Sequence, residues 1–90
     1  MTYAIRYSEE AAIKRDALDA VRRKAFDKAL AVIAEHPEHE KSIPMGENIR
    51  HIRLTQDVLA EYVIFHNFVM VLILNVFDNQ DAVVQNGDMQ

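Results

Sequence analysis

The chain has 90 residues, half of them apolar, with two glycines, two prolines and no cysteine, so it is read as one small domain rather than a disordered acidic tail. Disulfides, thiolate metal sites and cysteine nucleophiles are all excluded, in keeping with a reducing compartment. The net charge of −4 hides a split: all ten Lys and Arg residues lie between Arg6 and Arg53, while residues 54–90 hold five acids and no base, which argues against a phosphate-gripping second half.

Thr2 to Tyr7 alternates, with Tyr3, Ile5 and Tyr7 on one face, and predicts a short strand. Ser8 is a candidate N-cap, followed by Glu9 and Glu10 where the helix dipole favours negative charge. From there to Glu35, Leu18, Val21, Ala25, Phe26, Ala29, Leu30 and Ile33 recur at three- and four-residue steps. Asp19 can cap a second helix, so the spacing predicts two helices, about 9–17 and 20–35. Pro37 ends the second, and residues 37–48, with both prolines and Gly46, read as a loop. Three strand-like runs follow, at 48–54, 59–65 and 69–77, separated by the polar breaks Thr55-Gln56-Asp57 and His66-Asn67. They predict an antiparallel meander. Residues 79–90 are polar around Ala82-Val83-Val84, and the last six are expected to fray. The order is β-αα-βββ, an α+β domain over 1–84 with an antiparallel sheet and a helical pair packed on one face.

The longest apolar run, Phe68 to Leu74, is seven residues, too short for a spanning helix, and the N-terminus lacks a secretory pattern. The expectation is a cytoplasmic domain with no membrane association. Thirteen of the sixteen residues from Tyr62 to Phe77 are apolar. One helical layer covers only one face of a sheet, so apolar surface is expected on the other, for which a partner segment or a second copy of this chain would be the natural cover.

In order and spacing, these segments resemble the RelE/ParE superfamily of toxins from bacterial type II toxin–antitoxin modules. Tyr3-Ala4-Ile5-Arg6-Tyr7-Ser8-Glu9-Glu10-Ala11 is similar to the family's opening strand and helix start. Ile33-Ala34-Glu35-His36-Pro37 is similar to its proline-closed helix end, and Ile49-Arg50-His51-Ile52-Arg53-Leu54 to its basic second strand. Glu61-Tyr62-Val63-Ile64 resembles the Tyr-bearing third strand, and Val69 to Val76 with Asn79-Gln80-Asp81 the fourth strand and the turn after it.

The resemblance implies one of two activities: metal-independent cleavage of mRNA on the ribosome, needing no cofactor, or poisoning of DNA gyrase without catalysis. It also implies a cognate antitoxin that contributes an amphipathic helix and an added strand. A third alternative is a catalytically silent domain kept for antitoxin binding or dimerisation. The resemblance sets His51 and Arg53 where the family often has two Lys; for an endoribonuclease, Arg53 and Arg50 are the candidates for phosphate binding and His51, a side chain suited to carrying a proton, for proton transfer. His51 and Arg53 share a strand face by the period of two. The family's third-strand Arg falls here at Leu59 and its turn Arg at Asn79, and no Tyr or His follows. The catalytic set is therefore depleted, and loss of one charge-stabilising group typically costs about 3 kcal/mol of transition-state stabilisation.

Each feature also has a structural reading. Arg50, His51 and Arg53 can form a solvated sheet face, and Arg22-Arg23-Lys24 with Lys28 a solvated helix face offset by Asp19 and Asp27. His36-x-x-His39 in a loop reads as solvated rather than metal-binding, and Tyr62 as core or sheet surface.

Overall fold

In the computed structural model, which describes residues 1–79, the elements are β1 (Ala4–Tyr7), α1 (Glu9–Asp16), α2 (Ala20–Glu35), β2 (Ile43–Gly46), β3 (Ile49–Arg53), β4 (Val58–Phe65), a 3-10 turn (His66–Phe68) and β5 (Met70–Asp78). The expectations for the tail, the packing of Ala82-Val83-Val84 and the fraying of the last six residues, lie outside the described residues.

Both helices begin where the sequence places a cap. Ser8 Oγ accepts from the Ala11 amide at 3.1 Å, and Asp19 Oδ1 accepts from the Arg22 amide at 2.8 Å. Helix α2 closes at His36, ahead of Pro37. The sheet order is β1-β5-β4-β3-β2, with neighbours antiparallel except β1, which joins β5 in parallel. The helical pair carries the chain from β1 back across the sheet, so β1 and the last strand run the same way. The sheet is thus mixed. The segment 37–48, read as a loop, contains the edge strand β2, which pairs with β3 from Ile43↔His51 to Gly46↔Ile49. All four of its residues are exposed, and an edge position tolerates Pro44, so no burial pattern announces it.

The alternation of β4 decides the two faces. Val58, Ala60, Tyr62 and Ile64 are buried, as are Ile52 on β3 and Val71, Ile73 and Val76 on β5. Against them pack Ala11, Leu18, Phe26, Leu30 and Ile33 from the helical layer. At about 25 cal/mol per Å² of apolar surface, these side chains supply most of the drive to fold. No helix among the described residues is long and apolar enough to cross a membrane.

The spacing of Ile73 and Val76, both on the buried face but three residues apart, requires an irregularity. A bulge provides it. Tyr62 pairs with Ile73 while Glu61 pairs with Asn75, leaving Leu74 as the extra residue. Ser8 Oγ donates to the Leu74 carbonyl at 2.8 Å, and Asn75 Oδ1 accepts from the Val76 amide at 2.8 Å, so backbone groups disturbed by the bulge are re-paired by side chains.

Candidate active site on the open sheet face

Opposite the helical layer, successive rows run across β3, β4 and β5: Ile49, Val63 and Leu72; then His51, Glu61 and Asn75; then Arg53, Leu59 and Phe77. The first row is apolar and part-buried. The other two carry the polar chemistry.

His51 and Glu61 are direct cross-strand partners, and His51 Nε2 lies 2.8 Å from Glu61 Oε2. An ionised carboxylate only accepts, so Nε2 carries a hydrogen, and in the neutral imidazole Nδ1 then keeps its lone pair. This is the arrangement of a general base held by an orienting acid. Both side chains are about one-quarter to one-third exposed, at 26 % and 30 %, so the pair is shielded yet reachable. The imidazole is backed by Phe77, with ring centroids 6.1 Å apart.

Lys14 reaches the same face from α1. The helix lies against β5 beyond the end of the shorter β1, anchored by the fully buried Ala11. Three residues on, the Lys14 ammonium donates to Asn75 Oδ1 at 3.0 Å and sits 5.7 Å from the Phe77 ring centroid. It also lies 3.5 Å from Glu10 Oε1, one helical turn back.

Arg53 projects from the same side of β3 as His51 and is exposed, with no hydrogen bond or ion pair to any described residue. Arg50 does not join them. It alternates onto the face of Ile52 and Tyr62, where its Nε donates to Ser42 Oγ at 2.6 Å and its terminal nitrogen to the Ser42 carbonyl at 3.3 Å. The reason is the period of two: residues 51 and 53 share a face, and 50 cannot. Tyr62 is fully buried, its hydroxyl donating to the Pro37 carbonyl at 2.6 Å, and burial raises its pKa above the ordinary value of 10.0. It belongs to the core. Leu59, in the third-strand Arg position of the resemblance, lies in the open-face row between Arg53 and Phe77.

Among the described residues no group of three or more His, Asp or Glu side chains is placed to hold a metal ion; His36 closes α2, and His39 Nδ1 accepts from the Lys41 amide at 3.1 Å. In the basic stretch of α2, Arg22 is occupied by carboxylates: it bonds Asp78 and lies 3.6 Å from Asp57 and 3.8 Å from Asp19.

Sequence reasoning missed Glu61, Asn75 and Lys14 as parts of this face. Glu61 had a usable signal, since a hairpin centred on Gln56 sets residue 51 opposite 61. Asn75 had none, because the bulge at Leu74 shifts the register, and nothing local links Lys14 to a strand 61 residues away.

No protein-family model matches the sequence, and no curated protein does. Solved structures do. The isolated E. coli RelE toxin superposes with a TM-score of 0.76 at 21 % identity, over 92 % of this chain and 97 % of that one. The RelBE2 toxin–antitoxin complex from Mycobacterium tuberculosis gives 0.72 at 18 % identity, over 87 % and 99 %. An archaeal RelE–RelB complex from Pyrococcus horikoshii gives 0.69 at 16 % identity, over 87 % and 96 %. Two helices on one face of a mixed five-stranded sheet, matched nearly end to end by toxins from bacteria and an archaeon, give this chain the RelE fold.

Proposed function

We propose that this chain is the toxin of a type II toxin–antitoxin module and a metal-independent endoribonuclease of the RelE kind, acting in the cytoplasm on mRNA held by the ribosome. The observation that carries the reading is the His51–Glu61 couple on the open face of a RelE fold, with Arg53 beside it on the same strand. In such a reaction the ribose 2′-oxygen forms a bond to the adjacent phosphorus while its proton passes to His51 Nδ1. The P–O5′ bond breaks with its electron pair on O5′, which takes a proton from solvent, leaving a 2′,3′-cyclic phosphate and a 5′-hydroxyl. Glu61 holds the imidazole and stabilises the imidazolium; Arg53 binds phosphate.

The partner in this reading is an antitoxin. Ile49, Val63, Phe65, Met70 and Leu72 form apolar open-face surface next to the catalytic rows, the kind of surface an amphipathic helix covers. RelE neighbours occur bound to RelB.

The test is induction of the chain without an antitoxin, followed by mapping of mRNA ends in translating extracts. Growth arrest with cleavage inside codons, abolished by His51→Ala, is the expected result. Intact mRNA with an SOS response and blocked supercoiling would instead identify a gyrase poison, and no growth effect would identify a silent binding domain.

A further inference from the structure

We infer that Lys14, on the first helix, is the second phosphate-binding cation of this site; the inference rests on the endoribonuclease reading above. Of the strand-borne cations on the open face, Arg53 is on the same strand as His51 while Arg6 lies on edge strand β1, three strands away, and the β4 and β5 positions of the Arg53 row are apolar, at Leu59 and Phe77. A phosphorane carries more negative charge than the diester, so a site with one cation leaves much of that increase to water. The fold supplies another from outside the sheet.

The placement of Lys14 has specific causes. The buried Ala11 fixes the helix side that meets β5, and a residue three positions later projects from that same side. Strand β1 stops at Tyr7 while β5 continues to Asp78, so α1 takes over the vacated edge and Lys14 can curl over it onto the open face. The Leu74 bulge then turns Asn75 outward, where its Oδ1 accepts from the Lys14 ammonium at 3.0 Å. Phe77 lies beneath both Lys14 and His51.

The span suits one nucleotide. His51 on β3 and Asn75 on β5 are separated by β4, and strands lie about 4.8 Å apart, so the two backbones are about 10 Å apart with their side chains on one face. A ribose against His51 leaves its phosphate within reach of a flexible lysine on one side and Arg53 on the other. The Glu61 carboxylate on the intervening strand is committed to His51 at 2.8 Å, and Glu10, exposed and 3.5 Å from the Lys14 ammonium, is the carboxylate an incoming phosphate would displace. The Lys14 side chain is 43 % exposed, open to an incoming anion. Its role is electrostatic, neutralising the non-bridging oxygens as the 2′-oxygen attacks.

The experiment compares the full chain with Lys14→Gln, Lys14→Arg and His51→Ala in a translating extract, measuring the single-turnover rate of mRNA cleavage and, separately, the thermal midpoint of each protein. Glutamine removes the charge and keeps an N–H donor on a side chain one atom shorter, and arginine keeps the charge on a longer one. Cleavage by Lys14→Gln should fall about 10²- to 10³-fold, the usual cost of one charge-stabilising donor, while Lys14→Arg stays within about tenfold of the parent and both keep its midpoint. If Lys14→Gln cleaves like the parent while His51→Ala is inactive, the role of Lys14 is overturned and the ribonuclease reading stands. If arginine fails as badly as glutamine and both midpoints drop, Lys14 is structural and the inference is again overturned. If the parent itself leaves mRNA intact, the reading falls and the inference with it.

Discussion

Arg50 and Arg53, three positions apart on β3, meet different surroundings because a strand alternates. The Arg50 guanidinium faces the helical layer and ties β3 to the 37–42 connection through Ser42, whose own hydroxyl donates to the His39 carbonyl at 2.6 Å. Arg53 faces outward and holds nothing among the described residues. Their replacement by Met should therefore separate stability from activity. Arg50→Met should lower the free energy of unfolding by about 1–2 kcal/mol, because Ser42 is buried and loses a charged partner. Arg53→Met should stay within about 0.5 kcal/mol of the parent and yet lose mRNA cleavage. Urea titrations with an unchanged slope, beside the cleavage assay, check both halves. An Arg50→Met protein of full stability would refute the bracing role.

At the scale of elements, the two helix caps look alike in sequence but carry different loads. Asp19 caps α2 and otherwise makes only an exposed 3.8 Å contact with the Arg22 guanidinium, so Asp19→Ala should cost about 1 kcal/mol. Ser8 caps α1 and also donates to the Leu74 carbonyl in the bulge, so Ser8→Ala should cost about 2 kcal/mol and loosen the register of β5. Amide hydrogen exchange at Leu74 and Asn75 would show that loosening, and equal costs for the two variants would remove the link between α1 and the bulge. These caps were legible because each acts on a residue three positions away, and β1, α1, α2, β3, β4 and β5 were legible from local periodicity. What escaped was set by distant partners. Strand β2, with Pro44 and Gly46 in four exposed residues, is extended because β3 lies beside it. The parallel joining of β1 to β5 follows from the path of the helices, which no strand pattern encodes. The same division runs through the site. His51 and Arg53 could be read from a basic strand, whereas the bulge and the edge left open by a short β1 put Asn75 and Lys14 there.

At the scale of the molecule, the helical layer is closed onto the sheet by polar groups at both ends and tyrosines within. Arg22 near the start of α2 gathers Asp57 from the β3–β4 turn and Asp78 from the end of β5, and its pKa is raised, first by the bond to Asp78. Arg15 bonds Asp27 at 2.9 Å across the two helices and lies over the Tyr7 ring at 5.8 Å. Tyr7 and Tyr62 are held protonated above the ordinary value of 10.0, in both cases chiefly by burial. The unfolded chain releases these protons near pH 10 and the native state keeps them. The stability they confer is therefore complete below pH 10 and is lost as pH rises through the elevated native values. Each contributes about 1.4 kcal/mol per pH unit over that interval. The expected result is a denaturation midpoint that falls steeply above pH 10, with near-ultraviolet phenolate absorbance appearing as the fold is lost. Tyr62→Phe should start less stable, since the Pro37 carbonyl loses its donor, but its stability should decline about half as steeply with pH. Ionisation of both tyrosines in a chain that stays folded would show that the layer is not sealed around them.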